Sequence, residues 1–274
     1  MFTSQDKKYE LNCICFSKNR PLQLDGYIRS FQNAFCKHVH LSILYACDQD
    51  YVSAYNKLIS DYEDVNFIKQ QDFCDDLLRL LDNSNEFILF GCDDVVYRGL
   101  VDLDIVMDIM HDDSSFAFSF RLGKHITNSM FYGNFSLPKF IRDNDILTWD
   151  LHTSHSSIDF GYSFELNGTV YPQDIIRDVI DEFKPGTPNL LEAGGGGKWS
   201  CKTTKRNMSC FRVSKLVVPT VNIVQSNFGT GLMADYSTEF LLYLFNKGLR
   251  LNIEPYRDIM NTTIHVSNLY LENT

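Results

Sequence analysis

Short apolar runs and helical-period segments alternate along the first hundred and twenty residues. Residues 11–16 form a β-rich run, and Leu22, Leu24, Tyr27, Ile28, Phe31 and Phe35 then recur at helical spacing. Pro21 stands where the first turn of that helix begins, and it disfavours helix at Arg20. Strands are predicted next over 40–45, 65–68 and 86–90, and helices over 51–62, 72–81 and 101–110. A further strand is expected over 116–120, ending in Arg121-Leu122-Gly123-Lys124. Alternation of this kind predicts parallel strands with helices on both faces of the sheet.

The second half is less regular. Residues 125–158 are polar and aromatic with little period and read as loops. Residues 158–168 alternate with period two and carry the turn pair Asn167-Gly168, which predicts a hairpin. A helix is expected over 173–183. The breaker at 185–189 follows, with Asn189 capping a short turn at 190–192. Further on, 215–218 reads as a strand, 238–247 as a helix stopped by Gly248, and 251–253 as a short strand. Trp149 and His152 are candidates for stacking on a ligand, although a lone Trp more often belongs to a core.

Composition narrows the classes. The chain has 274 residues and a net charge of −10, which argues against a dedicated nucleic-acid binder. No apolar run is long enough to span a bilayer, and residues 1–11 lack the apolar stretch of a signal peptide. The eight cysteines show no metal-ligand spacing. Cys13 and Cys15 alternate on a strand, while Cys36, Cys47, Cys74 and Cys92 read as small core residues. A reduced, cytoplasmic location is the simplest expectation, with a membrane surface within reach.

The candidate chemistry gathers where the strand of residues 86–90 ends, at Gly91-Cys92-Asp93-Asp94. Ligands of open α/β sheets collect outside the carboxyl ends of the strands. Two adjacent carboxylates repel unless a cation or hydrogen-bond donors offset their charge, and a hard divalent ion shared with substrate phosphates does so. The pair equally suits a turn that opens the next helix. Lys18 and Arg20, at the tip of the first strand, are placed to meet a base or a phosphate, or simply water.

These features resemble the nucleotide-sugar half of a GT-A-fold glycosyltransferase. The resemblance rests on Phe16-Ser17-Lys18-Asn19-Arg20-Pro21 after the first strand, the helix that follows, and Cys92-Asp93-Asp94 as a variant of the family's Asp-x-Asp motif. It covers about the first hundred residues well and the rest more loosely. It implies a Rossmann-type mixed α/β sheet with helices on both faces, in a single domain. Residues 1–124 would form the donor half and 125–274 the acceptor half. By resemblance Asp94 holds Mn2+ or Mg2+ on the donor diphosphate, Asp93 supports the metal or the ribose, and Phe16 to Arg20 contact the nucleotide. His265 becomes a late metal ligand.

An inverting transfer also needs a carboxylate to take the acceptor's proton. Glu192 is the leading candidate, since related enzymes place that acid after a breaker in the acceptor half, and Asp159 is the second. A capping role suits Glu192 as well. Gly194 to Gly197 do not form a phosphate-binding P-loop, because Glu192 stands where its first glycine belongs and Trp199 follows Lys198. The glycines and the cations Lys198, Lys202, Lys205 and Arg206 read instead as a lid over 193–206, closing on a diphosphate, or as a surface loop.

The expected activity is metal-dependent transfer from a nucleotide diphosphate sugar, a UDP-sugar, to a glycan or lipid-linked saccharide. The alternatives are a non-catalytic glycan- or nucleotide-sugar-binding protein, a metal-dependent phosphohydrolase, and a sugar-1-phosphate nucleotidyltransferase. The last wants a glycine-rich loop after the first strand, and residues 17–21 contain no glycine.

Overall fold

The computed structural model describes residues 11–36, 39–81, 86–196, 200, 202–224 and 235–274. In chain order the first elements are β1 (Leu11–Lys18), α1 (Pro21–Phe35), β2 (His40–Ala46), α2 (Val52–Asp61), β3 (Asn66–Lys69), α3 (Phe73–Leu81), β4 (Phe87–Cys92) and β5 (Val96–Tyr97). They are followed by α4 (Leu103–Met110), β6 (Ser115–Ser119), β7 (Asn128–Ser129), β8 (Gly133–Asn134), β9 (Phe140–Asp143), β10 (Ile146–Asp150), β11 (Thr169–Pro172) and α5 (Gln173–Phe183). The last are α6 (Pro188–Gly194), β12 (Asn207–Phe211), β13 (Leu216–Pro219), α7 (Thr238–Asn246), β14 (Leu249–Leu251), β15 (His265–Val266) and β16 (Leu271–Asn273).

Nine of these strands form one sheet in the order β3-β2-β1-β4-β11-β6-β12-β10-β9. The block β3-β2-β1-β4 is parallel, β11 runs against both β4 and β6, β12 runs with β6, and β10 runs against β12 and β9. The α/β class expected from the sequence is therefore the one observed, and the sheet is mixed. Strand β11 lies between β4 and β6, so residues from both halves of the chain complete a single core.

The inner strands are buried on both faces, which is why their sequences run apolar without alternation. Cys13, Ile14 and Cys15 on β1 and Ile88, Leu89 and Phe90 on β4 are at most 1% exposed. Gly91 is needed where β4 meets α1. A Cβ there would lie 2.2 Å from the Tyr27 hydroxyl, which instead bonds the Cys13 thiol. Helix α1 starts on Pro21, with Asn19 in the left-handed region (φ 54°) and Arg20 non-helical (φ −130°, ψ 57°). That break turns the residues after β1 back across the sheet edge.

Several expectations for the second half are corrected. Residues 125–158 are not all loop, since β9 and β10 extend the main sheet; β12 is a further strand that the sequence pattern did not single out. Trp149 on β10 is fully buried, and its indole N–H donates to the Phe160 carbonyl at 2.9 Å, so it belongs to the core. Residues 158–168 do not form a hairpin. The stretch opens in 3-10 turns broken at Ile158 (φ 45°), and the Trp149 and Ser154 side chains both bond the Phe160 carbonyl, drawing it away from a ladder. The Asn167-Gly168 turn is real (Gly168 φ 84°) but leads directly into β11. Helix α6 is capped by Thr187, whose hydroxyl accepts the Leu190 N–H at 3.2 Å, in place of Asn189. The strand expected at 251–253 lies at β14, two residues earlier, and Cys36 is exposed at the end of α1.

Candidate active site

Strands β1 and β4 are parallel neighbours in a register that sets Phe16 beside Cys92, so their next residues meet at the carboxyl edge of the sheet. Asp93 is 3% exposed and fully engaged. Its Oδ2 accepts the Ser17 hydroxyl at 2.9 Å and the Lys18 N–H at 3.2 Å, and its Oδ1 accepts Arg20 Nη1 at 3.1 Å. Burial pushes the Asp93 carboxyl up to about 6, against the pull of Arg20. Asp94 is different. Its side chain is 16% exposed, and its Oδ2 faces the same Arg20 Nη1 at 3.1 Å.

Arg20 thus bridges both carboxylates, and its Nη2 donates to the Asn222 carbonyl. Burial disfavours its charge, but the two aspartates more than offset that and its pKa rises. Asn19 ties the tips of β1 and β2 together: its side chain donates to Asp48 Oδ2 at 2.6 Å and accepts the Asp48 N–H at 2.9 Å. Phe16 does not reach this edge with its ring, which packs against Phe73 and Phe90, and only its carbonyl takes part by accepting the Asp93 N–H. The Lys18 side chain is exposed.

His265 on β15 lies close enough to this corner for the Asp94 charge to act on it. Burial, with Arg121 second, lowers its pKa to about 4, so the ring is neutral at neutral pH. Its Nδ1 lies 2.7 Å from Thr220 Oγ1, and that hydroxyl donates to the Val218 carbonyl. The Thr220 oxygen must then accept from Nδ1–H, which leaves Nε2 as a bare lone pair. Among the described residues no three His, Cys, Asp or Glu side chains come together as a complete metal cage. A half-buried carboxylate and a neutral imidazole nitrogen do fit an ion whose other ligands are phosphate oxygens and water.

The second cluster lies beyond β6 and was only partly foreseen. Arg121, 4% exposed, follows the last residues of that strand. Its Nε lies 3.4 Å from Glu165 Oε1, its Nη1 3.9 Å from Asp159 Oδ1, and its Nη2 donates to the Asp159 carbonyl at 3.4 Å. Glu165 is buried and bonded to the Asn167 N–H and the Thr169 hydroxyl. Glu192, near the end of α6, turns its carboxyl into this cluster, where it accepts the Leu166 N–H and the Tyr162 hydroxyl. Burial first, and the like charge of Glu165 second, push Glu192 from 4.5 up to about 7, with Arg121 opposing. Asp159 is raised by burial and held back by Arg121.

The two clusters meet. Cys92 feels the charges of Asp94, Asp93, Glu192 and Glu165, and His265 those of Arg121 and Asp94. The structure therefore brings Ser17, Arg20, Asp93, Asp94, His265, Asp159 and Glu192 to one edge. Sequence reasoning missed Arg121, Glu165 and Tyr162. For Arg121 the signal was present, a cation just past the end of an apolar strand, as at Arg20.

The glycines after Glu192 are partly structural. A Cβ on Gly194 would meet the Phe183 ring at 2.9 Å and one on Gly195 the Phe164 ring at 2.4 Å, so this part of the 193–206 segment is packed. Lys198 lies outside the described residues. Lys202 pairs with Glu182, the Lys205 ammonium meets the Asp113 carbonyl at 3.4 Å, and Arg206 pairs with Asp150 at 2.7 Å. Lys205 and Arg206 lead into β12 at the opposite end of the sheet from Asp94, where the Arg206 N–H donates to the Ser114 carbonyl. These cations are spoken for. A cleft of about 380 Å³ at that same far end, between Glu86, His111, Gln173 and Lys205, is remote from both carboxylate clusters.

No family model matches the chain. It is 24% identical, over 97% of its length, to the bifunctional glycosyltransferase pgtA of Dictyostelium discoideum, and it spans 39% of that protein. Among solved structures, Staphylococcus aureus TarS superposes with a TM-score of 0.47 at 14% identity, over 75% of this chain and 36% of TarS. The mannosyltransferase PcManGT of Pyrobaculum calidifontis, solved with GDP-Man and Mn2+, superposes with a TM-score of 0.36 at 8% identity, over 64% of this chain and 48% of that one. No helix among the described residues is long and apolar enough to cross a membrane.

Proposed function

We propose that this chain is a glycosyltransferase that moves a sugar from a nucleotide diphosphate donor, a UDP-sugar, to a saccharide hydroxyl with inversion at the anomeric carbon. The observation that carries this reading is the division of labour along one sheet edge. A cation-bridged acid pair with a half-buried carboxylate stands on one side, and a carboxyl lifted to about 7 stands on the other. The resemblance of the opening to GT-A enzymes and the similarity to a bifunctional glycosyltransferase support it.

In this reading Asp94, with His265 Nε2, would hold Mn2+ or Mg2+ against the donor diphosphate. Such an ion, when bound, supplies Lewis-acid charge to the departing phosphate oxygens. Asp93 is a positioning residue: its bonds to Ser17, Lys18 and Arg20 lock the tip of β1 against β4. Arg20 and Arg121 bring fixed positive charge to an edge where negative charge develops.

Ionised Glu192 takes the proton of the acceptor hydroxyl as its oxygen attacks the anomeric carbon. The bond from that carbon to the diphosphate oxygen breaks, and the electron pair leaves with the nucleoside diphosphate. A carboxyl with a pKa near the working pH suits this role, because it is substantially ionised and still basic enough to receive the proton. Asp159 is the second candidate: burial raises it as well, against the pull of Arg121. The acceptor is a glycan or lipid-linked saccharide.

The test is a screen of UDP-, GDP- and CMP-sugars for donor turnover with and without manganese, combined with the thermal shift that UDP produces. Manganese-dependent turnover of one UDP-sugar is expected. A protein that binds UDP but never turns over a donor would be a binding module, and one indifferent to all three nucleotides would defeat the reading.

A further inference from the structure

Two large aromatic rings stand in water beside the candidate site, and neither the acid pair nor the base accounts for them. Tyr162 is 45% exposed and Phe131 is 50% exposed. Solvated rings of this size are informative when they are continuous with a polar site. Both are. The Tyr162 hydroxyl turns inward to Glu192, and its ring lies 5.8 Å from the Arg121 guanidinium carbon. Phe131 packs edge-on against His265 with ring centroids 6.5 Å apart.

Neither ring is placed by accident of a loose loop. Phe131 lies in the connection between β7 and β8, its N–H donating to the Ser129 hydroxyl at 3.4 Å. Gly133 closes that turn at φ 72°. The hairpin is anchored by the Thr127 and Asn128 N–H groups, which both donate to the Thr262 carbonyl, close in the chain to His265. Tyr162 is held by its hydroxyl and by Arg121 over its ring, and 45% of the residue remains exposed.

We infer that the acceptor is a pyranoside whose C–H face lies on the exposed rings of Tyr162 and Phe131, with its reacting hydroxyl delivered to Glu192. This rests on the glycosyltransferase reading above and specifies the acceptor side of the same site. The chemistry favours a saccharide over other apolar occupants. Arg121 joins the Tyr162 ring to a hydrogen-bond acceptor, the partly exposed Asp159 carboxylate, and a sugar presents C–H groups on one face and hydroxyls at its rim. An acyl chain would find no use for the carboxylates.

The experiment is saturation-transfer NMR on the full chain with UDP and manganese, using the methyl β-glycosides of glucose, galactose and N-acetylglucosamine as probes. Calorimetry of UDP binding runs in parallel. At least one glycoside should show transfer, strongest at its axial C–H protons. Phe131→Ala and Tyr162→Ala should each reduce that transfer several-fold, Tyr162→Phe should retain it, and UDP affinity should hold in all three. Transfer that survives both alanine substitutions, or none in a protein that binds UDP, overturns the inference while sparing the donor reading. Displacement of the glycosides by a dispersed single-chain lipid assigns the rings to an acyl chain and overturns it too. Failure to bind UDP overturns the donor reading and this inference together.

Discussion

At the tips of β1 and β4 two carboxylates share one guanidinium at 3.1 Å each, whereas beyond β6 three carboxylates share a guanidinium whose nearest approach is 3.4 Å. The first corner is closely matched: Asp93 has three donors, Arg20 has three acceptors, and the net charge is one negative. In the second, Arg121 must offset Asp159, Glu165 and Glu192, and the surplus negative charge lies in a buried place. Burial raises a carboxyl at each corner, but Asp93, at about 6 with Arg20 in direct contact, stays mostly ionised at neutral pH, whereas Glu192, at about 7, is poised between its two forms. One corner is built to grip something charged and the other to hold and release a proton.

The largest expected effect breaks the gripping corner. Asp94→Ala removes the more accessible member of the pair and should lower donor turnover by roughly a thousandfold or more, the scale seen when a transition-state electrostatic partner is lost. Circular dichroism and melting should remain close to wild type, because Asp93 keeps the bonds that join β1 to β4. Near-normal turnover in this variant would show that the acid pair is merely a turn.

Next comes the proton-holding corner. Glu192→Gln keeps the shape of the side chain and removes its basicity, so kcat should fall about a hundred- to a thousandfold. It should also stabilise the fold, and the sign is informative. The folded carboxyl titrates at about 7 and the free one at 4.5, so ionisation costs the native state stability as pH rises through that window. Glutamine escapes this cost. The gain should approach roughly 2–3 kcal/mol above pH 7 and vanish near pH 4, read from urea unfolding at both pH values. A variant that is slower and no more stable would place Glu192 in water.

A smaller change tests why Glu192 is poised at all. The pH profile of kcat/KM should rise through about 7 as Glu192 ionises. Groups facing it are Glu165, Arg121, the Tyr162 hydroxyl and the Leu166 N–H. Glu165→Gln removes a like charge and leaves more of Arg121 for Glu192, so both changes move the rising limb to lower pH, by about one unit. A limb that stays in place would mean burial alone sets the value.

The gripping corner was legible in the sequence and the other was largely not, for a physical reason. Parallel strands buried on both faces give unbroken apolar runs, so Phe87 to Phe90 announces β4 and the residues after it announce the tip. The second corner is assembled from a 3-10 stretch, a turn, the end of β6 and a short helix, which meet only in space. The breaker at 185–189 marks the approach to α6, although its cap is Thr187 and not the expected Asn189, and Glu192 follows from it. Arg121 and Glu165 carry no periodicity that singles them out. Strand β9 is mostly exposed and polar in Arg142 and Asp143, so alternation could not reveal it.

The smallest effects compare one hydroxyl at each corner. Ser17 Oγ donates to Asp93 and lies 2.6 Å from the Tyr55 hydroxyl, so Ser17→Ala should cost about 1–2 kcal/mol, a melting-temperature drop of a few degrees. Arg20 and the Lys18 N–H still fix Asp93 there, so the pH profile should not move. Thr169 donates to Glu165 at the other corner, where that carboxylate also accepts the Asn167 N–H and lies 3.4 Å from Arg121 Nε. Thr169→Val removes one of the bonds that hold the Glu165 charge in place beside Glu192, so the rising limb should move, by less than Glu165→Gln moves it. If the serine substitution moved the pH profile and the threonine one did not, the roles of the two corners would have to be exchanged, because only a group that acts on the proton-accepting carboxyl can displace that limb.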